Sequence, residues 1–331
     1  MAPPPLPYDK HGNCGPEAAA HLVLTRPLVS LPRMITKGAS YLVTRRCTQR
    51  QFLLRPSAET NRIFVYCLAY AAKQTGMEIH GLVVMSNHWH GVITDPDARL
   101  PEFLQILHRL IAAANALLGR AENLWAAGAP SVVQLDHPDD VLDTLAYVIA
   151  NPVAAGLVKD PRDWPGVITT RLGETFVAKR PEVFFRETGT MPERVKLVCT
   201  VPTMLRHIGL DRAVRRLRRL AQESVRRARN AVRSQGRNFL GADGVRMMPI
   251  YRHATTPESL RKRRPSFASR DLDRRLTAVR RVRVFRAAYR VAIAQWQRGR
   301  RTVRFPDGTY QMRVLHTVRS GPPPSSERTP N

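Results

Sequence analysis

The chain has 331 residues, 43% of them hydrophobic, and a formal net charge of +27, which is material for one sizeable core and a second module and excludes a small disulfide-stapled scaffold. Its four cysteines are scattered, so no disulfide framework or CxxC zinc clip is expected; they read as reduced packing residues, and His11 with Cys14 reads as an incidental HxxC in a loop. No run approaches the roughly 20 apolar residues that span a bilayer and the start lacks a signal-peptide core, so no membrane partner and a cytoplasmic location are expected.

In chain order, residues 1–30 open on Ala2-Pro-Pro-Pro-Leu-Pro7 and read as a disordered arm. Ser40 to Thr44 is a short strand of β-formers, followed by Arg45 and Arg46. Glu59 to Gln74 has helical periodicity through Ile63, Tyr66, Cys67 and Tyr70 until Gly76 stops it. Ile79 to Met85 and Trp89 to Thr94 are apolar runs joined by Ser86-Asn87, a hairpin. Pro101 opens a helix through Phe103, Leu104, Leu107, Leu110, Ile111 and Leu118. Ser131 to Leu135 is a last strand, and a helix from Pro138 to Ala150 follows that Pro152 is not expected to continue. The order βαββαβα predicts an α+β fold of ferredoxin-like type, an antiparallel sheet with one face covered and the other free to hold a site.

Two places in this frame carry chemistry. In Ser86-Asn-His88-Trp-His90 the histidines sit two apart on a strand, so both project to one face, close enough to grip a divalent ion. Trp89 faces the other way and is expected in the core. On the last helix Tyr147 and Asn151 stand at i and i+4, again on one face. Each also has a plain reading: half-buried sheet imidazoles, a core tyrosine with a polar tip, an asparagine that ends a helix. Asp143, one turn before Tyr147, has two readings, a group that orients the phenol and a solvent-facing side chain, of which the second is preferred.

The second half differs in charge. Residues 1–190 hold 19 Lys+Arg against 17 Asp+Glu, a net of +2, and residues 191–331 hold 34 against 9, a net of +25. An arginine-dominated half beside a nearly neutral one fits a polyanion-binding appendage, with nucleic acid the default partner. Leu210 to Ser234 reads as an amphipathic helix with Leu210, Val214, Leu217, Ala221, Val225, Ala228 and Val232 inward and Arg215, Arg216, Arg218, Arg219, Arg226 and Arg227 among its cations. These six, with Arg45, Arg46 and the run Arg261-Lys262-Arg263-Arg264, are the expected DNA contacts. A second basic helix is predicted from Asp271 to Gln297, with Leu272, Leu276, Val279, Ala288, Ile293 and Trp296 inward. Thr302 to Phe305 and Thr309 to Val314 flank Pro306-Asp-Gly308, which predicts a terminal hairpin. The expected division is therefore 31–190 as one domain, 191–318 as a basic helical appendage and 319–331 as a disordered tail.

His88-Trp-His90 resembles the His-hydrophobic-His motif of HUH single-strand endonucleases. Tyr147-Val-Ile-Ala-Asn-Pro-Val-Ala-Ala-Gly-Leu-Val158 with Asp163-Trp-Pro165 looks like the tyrosine helix and exit loop of REP-associated tyrosine transposases, relatives of the single-tyrosine IS200-like transposases. The resemblance spans roughly residues 31 to 170. It implies His88, His90 and Asn151 as ligands of Mg²⁺ or Mn²⁺, Tyr147 as nucleophile, and cleavage and rejoining of single-stranded or hairpin DNA through a 5′-phosphotyrosine by a nucleoid-associated monomer or homodimer. The alternatives are a catalytically inactive nucleic-acid-binding regulator on the same frame and an RNA-binding protein of similar sheet architecture. The RNA reading lacks the aromatic-rich strands that stack bases on a sheet.

Overall fold

Four segments with strand-type alternation build one sheet. β1 (Ala39–Arg46), β2 (Glu78–Met85), β3 (His88–Asp95) and β4 (Ser131–Leu135) pair antiparallel in the order β2-β3-β1-β4, which is the α+β, ferredoxin-like arrangement expected. The computed structural model describes residues 32–119, 123–185, 189–255 and 266–321. The arm 1–30, with His11 and Cys14, the run Arg261 to Arg264 and the tail from 322 lie outside the described residues. Among the described residues no helix is long and apolar enough to cross a membrane.

Helices α1 (Ala58–Thr75) and α2 (Leu100–Leu117) form where the apolar spacing is helical, and their ends are chemically marked. Ser57 caps α1 by accepting from the Thr60 amide, and Gly76 ends it at φ +71°. The Asp95 carboxylate accepts from the amides of Arg99 and Leu100 where α2 begins. Both helices bury one face of the sheet: Tyr41, Val43, Leu82, Val84, Trp89 and Ile93 meet Phe64, Leu68, Phe103 and Leu107. Trp89 is fully buried, edge-on to Phe64 at 5.7 Å, as its alternation predicts.

The second face is not free, which corrects the expectation. Val83, Met85, Val92 and Leu135 project there, and an apolar face must be covered. α3 (Pro138–Ala154) lies across it, and after α4 (Thr203–Arg206) the long α5 (Leu210–Ser234) packs along α3 into the same core. α3 also continues through Pro152. That proline sits in the last turn, the Leu157 amide returns to the Pro152 carbonyl, and Gly156 at φ +76° supplies the left-handed stop.

Both sheet edges are sealed. Beyond α3 the chain bonds β2 from outside, with the Val84 amide on the Val167 carbonyl and the Thr169 amide on the Leu82 carbonyl, while Ser266 and Ala268 pair with Gln134 of β4. A hairpin absent from the predicted elements, β5 (Thr175–Lys179) and β6 (Arg194–Val198), packs Ala178, Val195 and Leu197 into the first core. The boundary expected at residue 190 falls between its two strands.

The basic half departs from its predicted pattern in three places. The buried stripe of α5 starts at Ala213, and Leu210 is exposed. After α6 (Gly241–Met247), α7 (Leu272–Gln297) buries Ala278, Phe285, Tyr289 and Ala292 and leaves Leu272, Leu276 and Ala288 exposed, because aromatic bulk selects the packed face. The terminal hairpin is not formed. Phe305 pairs with Ser320, so the bonding edge that residues 309–314 would need is taken, and Gln311–His316 coil into α8. The turn at Pro306-Asp-Gly308 is present, with Gly308 at φ +93° and its carbonyl accepting from the Ile35 amide.

If α5 belongs to the core, Leu217→Ala should cost the whole protein about 2–4 kcal/mol in one cooperative transition. A denaturant melt that shows no loss, or a separate early phase, would detach α5 from the fold.

Candidate active site

Register places the histidines. β3 runs against β1 with His90 opposite Thr44 and His88 opposite Arg46, and against β2 with His90 opposite Val83. Val83 belongs to the core beneath α3, so His88 and His90 share the α3 side of the sheet while Trp89 takes the other. The two rings stand 4.7 Å apart, edge to face.

Each ring is oriented by a hydrogen bond at Nδ1. His88 Nδ1 donates to Asn87 Oδ1 at 2.6 Å, and the Asn87 amide is fixed by donating its Nδ2 to the Arg50 carbonyl. His90 Nδ1 lies 2.7 Å from Thr44 Oγ1. This leaves His88 Nε2 with its lone pair available for ligation. Burial pushes the His88 imidazole down to about 4, helped by the charges of Arg46 and Arg50. Burial likewise holds His90 well below the ordinary imidazole value, with His88 and Arg46 adding to it. Both rings are neutral at pH 7, the form that binds metal.

α3 brings Tyr147 over this pair. Its hydroxyl is 3.4 Å from His90 Nε2 and the rings are 5.3 Å apart. The side chain is 46% exposed, so a substrate can reach the ring flank while the hydroxyl faces the histidines. Burial raises the phenol above its ordinary value, and a hydrogen bond from Asn151 and the charge of Arg46 pull it back. Asn151, one turn on, is buried beneath the same face.

The structure thus gathers His88, His90, Tyr147 and Asn151, with Arg46 acting on three of them. Arg45 points to the opposite face. There it donates to the Gly128 carbonyl and lines a cavity of about 350 Å³ with Arg33 and His108. On α5, Arg215, Arg218, Arg219, Arg226 and Arg227 are exposed, whereas Arg216 is tied to Asp139 at 2.7 Å. Thr44 and Asn87 escaped the sequence reading: Asn87 adjoins His88 in an ordinary turn, and Thr44 meets His90 only through strand register.

Two neutral, oriented imidazoles beside an amide fit part of a divalent-ion donor set. Among the described residues no group of three His, Cys, Asp or Glu side chains is placed to hold a metal.

The fold and these side chains define an α+β protein with a two-histidine, one-tyrosine site on a sheet face. No family model and no curated protein matches the chain. Among solved structures it is similar to one described as a REP-associated tyrosine transposase bound to a REP hairpin, at 20% identity and a TM-score of 0.37, over 42% of this chain and 81% of that one. It is also similar to a candidate transposase from Deinococcus radiodurans R1, at 21% identity and a TM-score of 0.26, over 31% of this chain and 82% of the other. Neither likeness bears on the chemistry, which rests on the side chains.

The depressed imidazoles set an acid limit. His80, also buried and pushed down to about 4, and His88 stay neutral where the unfolded chain takes up protons. Stability should therefore be full above about pH 6.5 and fall as the pH drops toward 4. Melting temperatures across that range check the sign: a flat profile would contradict it, and His80→Asn should flatten part of the slope.

Proposed function

We propose that this chain is a metal-dependent, tyrosine-nucleophile DNA strand transferase that cleaves and rejoins single-stranded or hairpin DNA. The observation that carries the reading is the Tyr147 hydroxyl 3.4 Å from His90 Nε2, above two neutral and oriented imidazoles. A core tyrosine needs no such company, and an arbitrary pair of sheet histidines needs no neighbouring phenol.

Attack by the Tyr147 oxygen on a backbone phosphorus forms the tyrosine–phosphate bond and breaks the bond from phosphorus to the 3′-oxygen, which leaves as a 3′-hydroxyl after taking a proton. The phosphodiester is exchanged and not hydrolysed, so a second 3′-hydroxyl can reverse the step. The phenol must lose its proton, and burial alone opposes this. Asn151 and Arg46 both favour the anion, the amide by its hydrogen bond and the guanidinium by charge. A Mg²⁺ or Mn²⁺ ion held by His88, His90 and Asn151 would supply polarisation of the phosphate and stabilisation of the leaving oxygen. Thr44 and Asn87 keep the imidazoles aimed.

The exposed arginines of α5 are then the strand's electrostatic grip. Each phosphate contact removed should lower the salt slope of binding by about 0.7 on single strands. Replacing Arg218, Arg219, Arg226 and Arg227 together by Ala should flatten the slope accordingly while the protein melts normally, and an unchanged slope would place the grip elsewhere.

The chemistry is tested with a panel of labelled hairpin oligonucleotides carrying single-stranded arms, scored for a denaturation-resistant adduct. Wild type should form the adduct with Mg²⁺ or Mn²⁺ and lose it in chelator. Tyr147→Phe, a change on the order of 1 kcal/mol in stability, should bind but form none. His88→Ala and His90→Ala should bind and not cleave, and Asn151→Ala should be impaired more mildly. Cleavage by a folded Tyr147→Phe protein would sink the mechanism.

A further inference from the structure

The tyrosine helix carries an anionic problem. Asp139, Asp143, Tyr147 and Asn151 stand at successive i+4 positions along α3, and Asp136 and Asp140 flank the start of that row. Acidic residues at a helix N-terminus favour the helix through its dipole. They also set four carboxylates within three turns of the atom that must meet a phosphate.

The structure answers three of these carboxylates with an arginine from the basic half. Arg216 of α5 meets Asp139 at 2.7 Å, Arg270 meets Asp143 at 2.9 Å, and Arg281 of α7 meets Asp136 at 2.7 Å. Asp140, whose carboxyl burial pushes up, is pulled back by Ser269, His137 and the charge of Arg274. The segment bearing Arg270 is anchored through Ser266 and Ala268 on Gln134, and Arg281 lies over the Phe267 ring at 5.6 Å.

Resting on the reading of Tyr147 as the strand-cleaving residue, we propose that Arg216, Arg270 and Arg281 are positioning residues that cancel the carboxylate row of the tyrosine helix so that a phosphate strand can approach Tyr147, and that they do not themselves grip the strand. The basic half thus has two separable groups of arginines, an outward set on α5 for phosphates and an inward set for aspartates. Ion pairs this exposed add little to stability. Arg270 is 73% exposed and Asp143 23% exposed, so the effect should show in DNA approach and not in melting.

The test is a double-mutant cycle on the full chain with Arg270→Ala, Asp143→Asn and both together, plus Arg270→Lys. The probe is a labelled hairpin with a single-stranded arm, its affinity read by anisotropy from low to high salt. Unmasking one carboxylate a helical turn from Tyr147 should weaken binding on the order of fivefold at low salt, less as salt screens it. Asp143→Asn added to Arg270→Ala should restore affinity to within about twofold, and Arg270→Lys should bind as wild type, all with unchanged melting temperatures. A double mutant as weak as Arg270→Ala alone would show that Arg270 holds phosphate directly and would overturn the proposal. Arg270→Ala binding as wild type would overturn it too. A wild type that binds the hairpin without forming an adduct would leave this cycle readable and sink only the covalent chemistry, whereas a wild type that binds no hairpin would overturn both.

Discussion

Everything in the site depends on how closely α3 lies on the sheet. Gly81 makes that approach possible: a Cβ there would stand 2.5 Å from Leu145 Cδ2 and 3.1 Å from Thr169 Oγ1. Leu145 is buried two residues before Tyr147, so the helix that packs against Gly81 is the one that brings the phenol near His90. The same contact closes the second core, because Val83, Met85 and Val92 below and Leu217, Ala221 and Val225 above pack around the one helix. Stability and site geometry are therefore one packing problem, and close-packed interiors transmit such shifts.

The second constraint is dielectric. Burying two imidazoles holds them neutral, which suits the ligand role proposed for them, and burying a phenol raises it, which opposes the nucleophilic role proposed for it. The site meets the conflict with Asn151 and Arg46, which favour the phenolate without adding a carboxylate that would repel a phosphate. Arg46 does this from the strand position opposite His88, so the cation and the imidazoles are set by the same ladder of backbone hydrogen bonds.

The basic half is tied to the four-stranded sheet and is not a tail hung from it. α5 contributes five buried residues to the second core, Ser266 and Ala268 extend the sheet at β4, and the turn at Gly308 bonds the chain just before β1. Phe305, Tyr289 and Met312 form a small core of their own beside it. An arginine-rich helix can belong to a globular core when one stripe of small and branched residues is kept free of charge, as on α5.

Much of this was legible in the sequence, for reasons of period. The strands β1 to β4, the stop of α1 at Gly76 and the 25-residue amphipathic α5 follow from residue pattern and spacing, and the i+4 step from Tyr147 to Asn151 and the i+2 step from His88 to His90 put each pair on one face. What spacing cannot give is which faces meet. β5 and β6 are five residues each, and only β6 alternates charged with buried residues, so their signal is too short to separate from loop. The apolar positions of α7 fit two faces, and only the aromatic cluster of Tyr289 and Phe305 chose one. The pairing of residue 305 with 320 instead of with its near neighbours, the covering of the sheet's second face, and the meeting of Tyr147 with His90 across 57 residues were all decided by tertiary packing. Local sequence fixes the direction in which a side chain points from its own backbone, and only the burial of apolar faces against one another fixes what it points at.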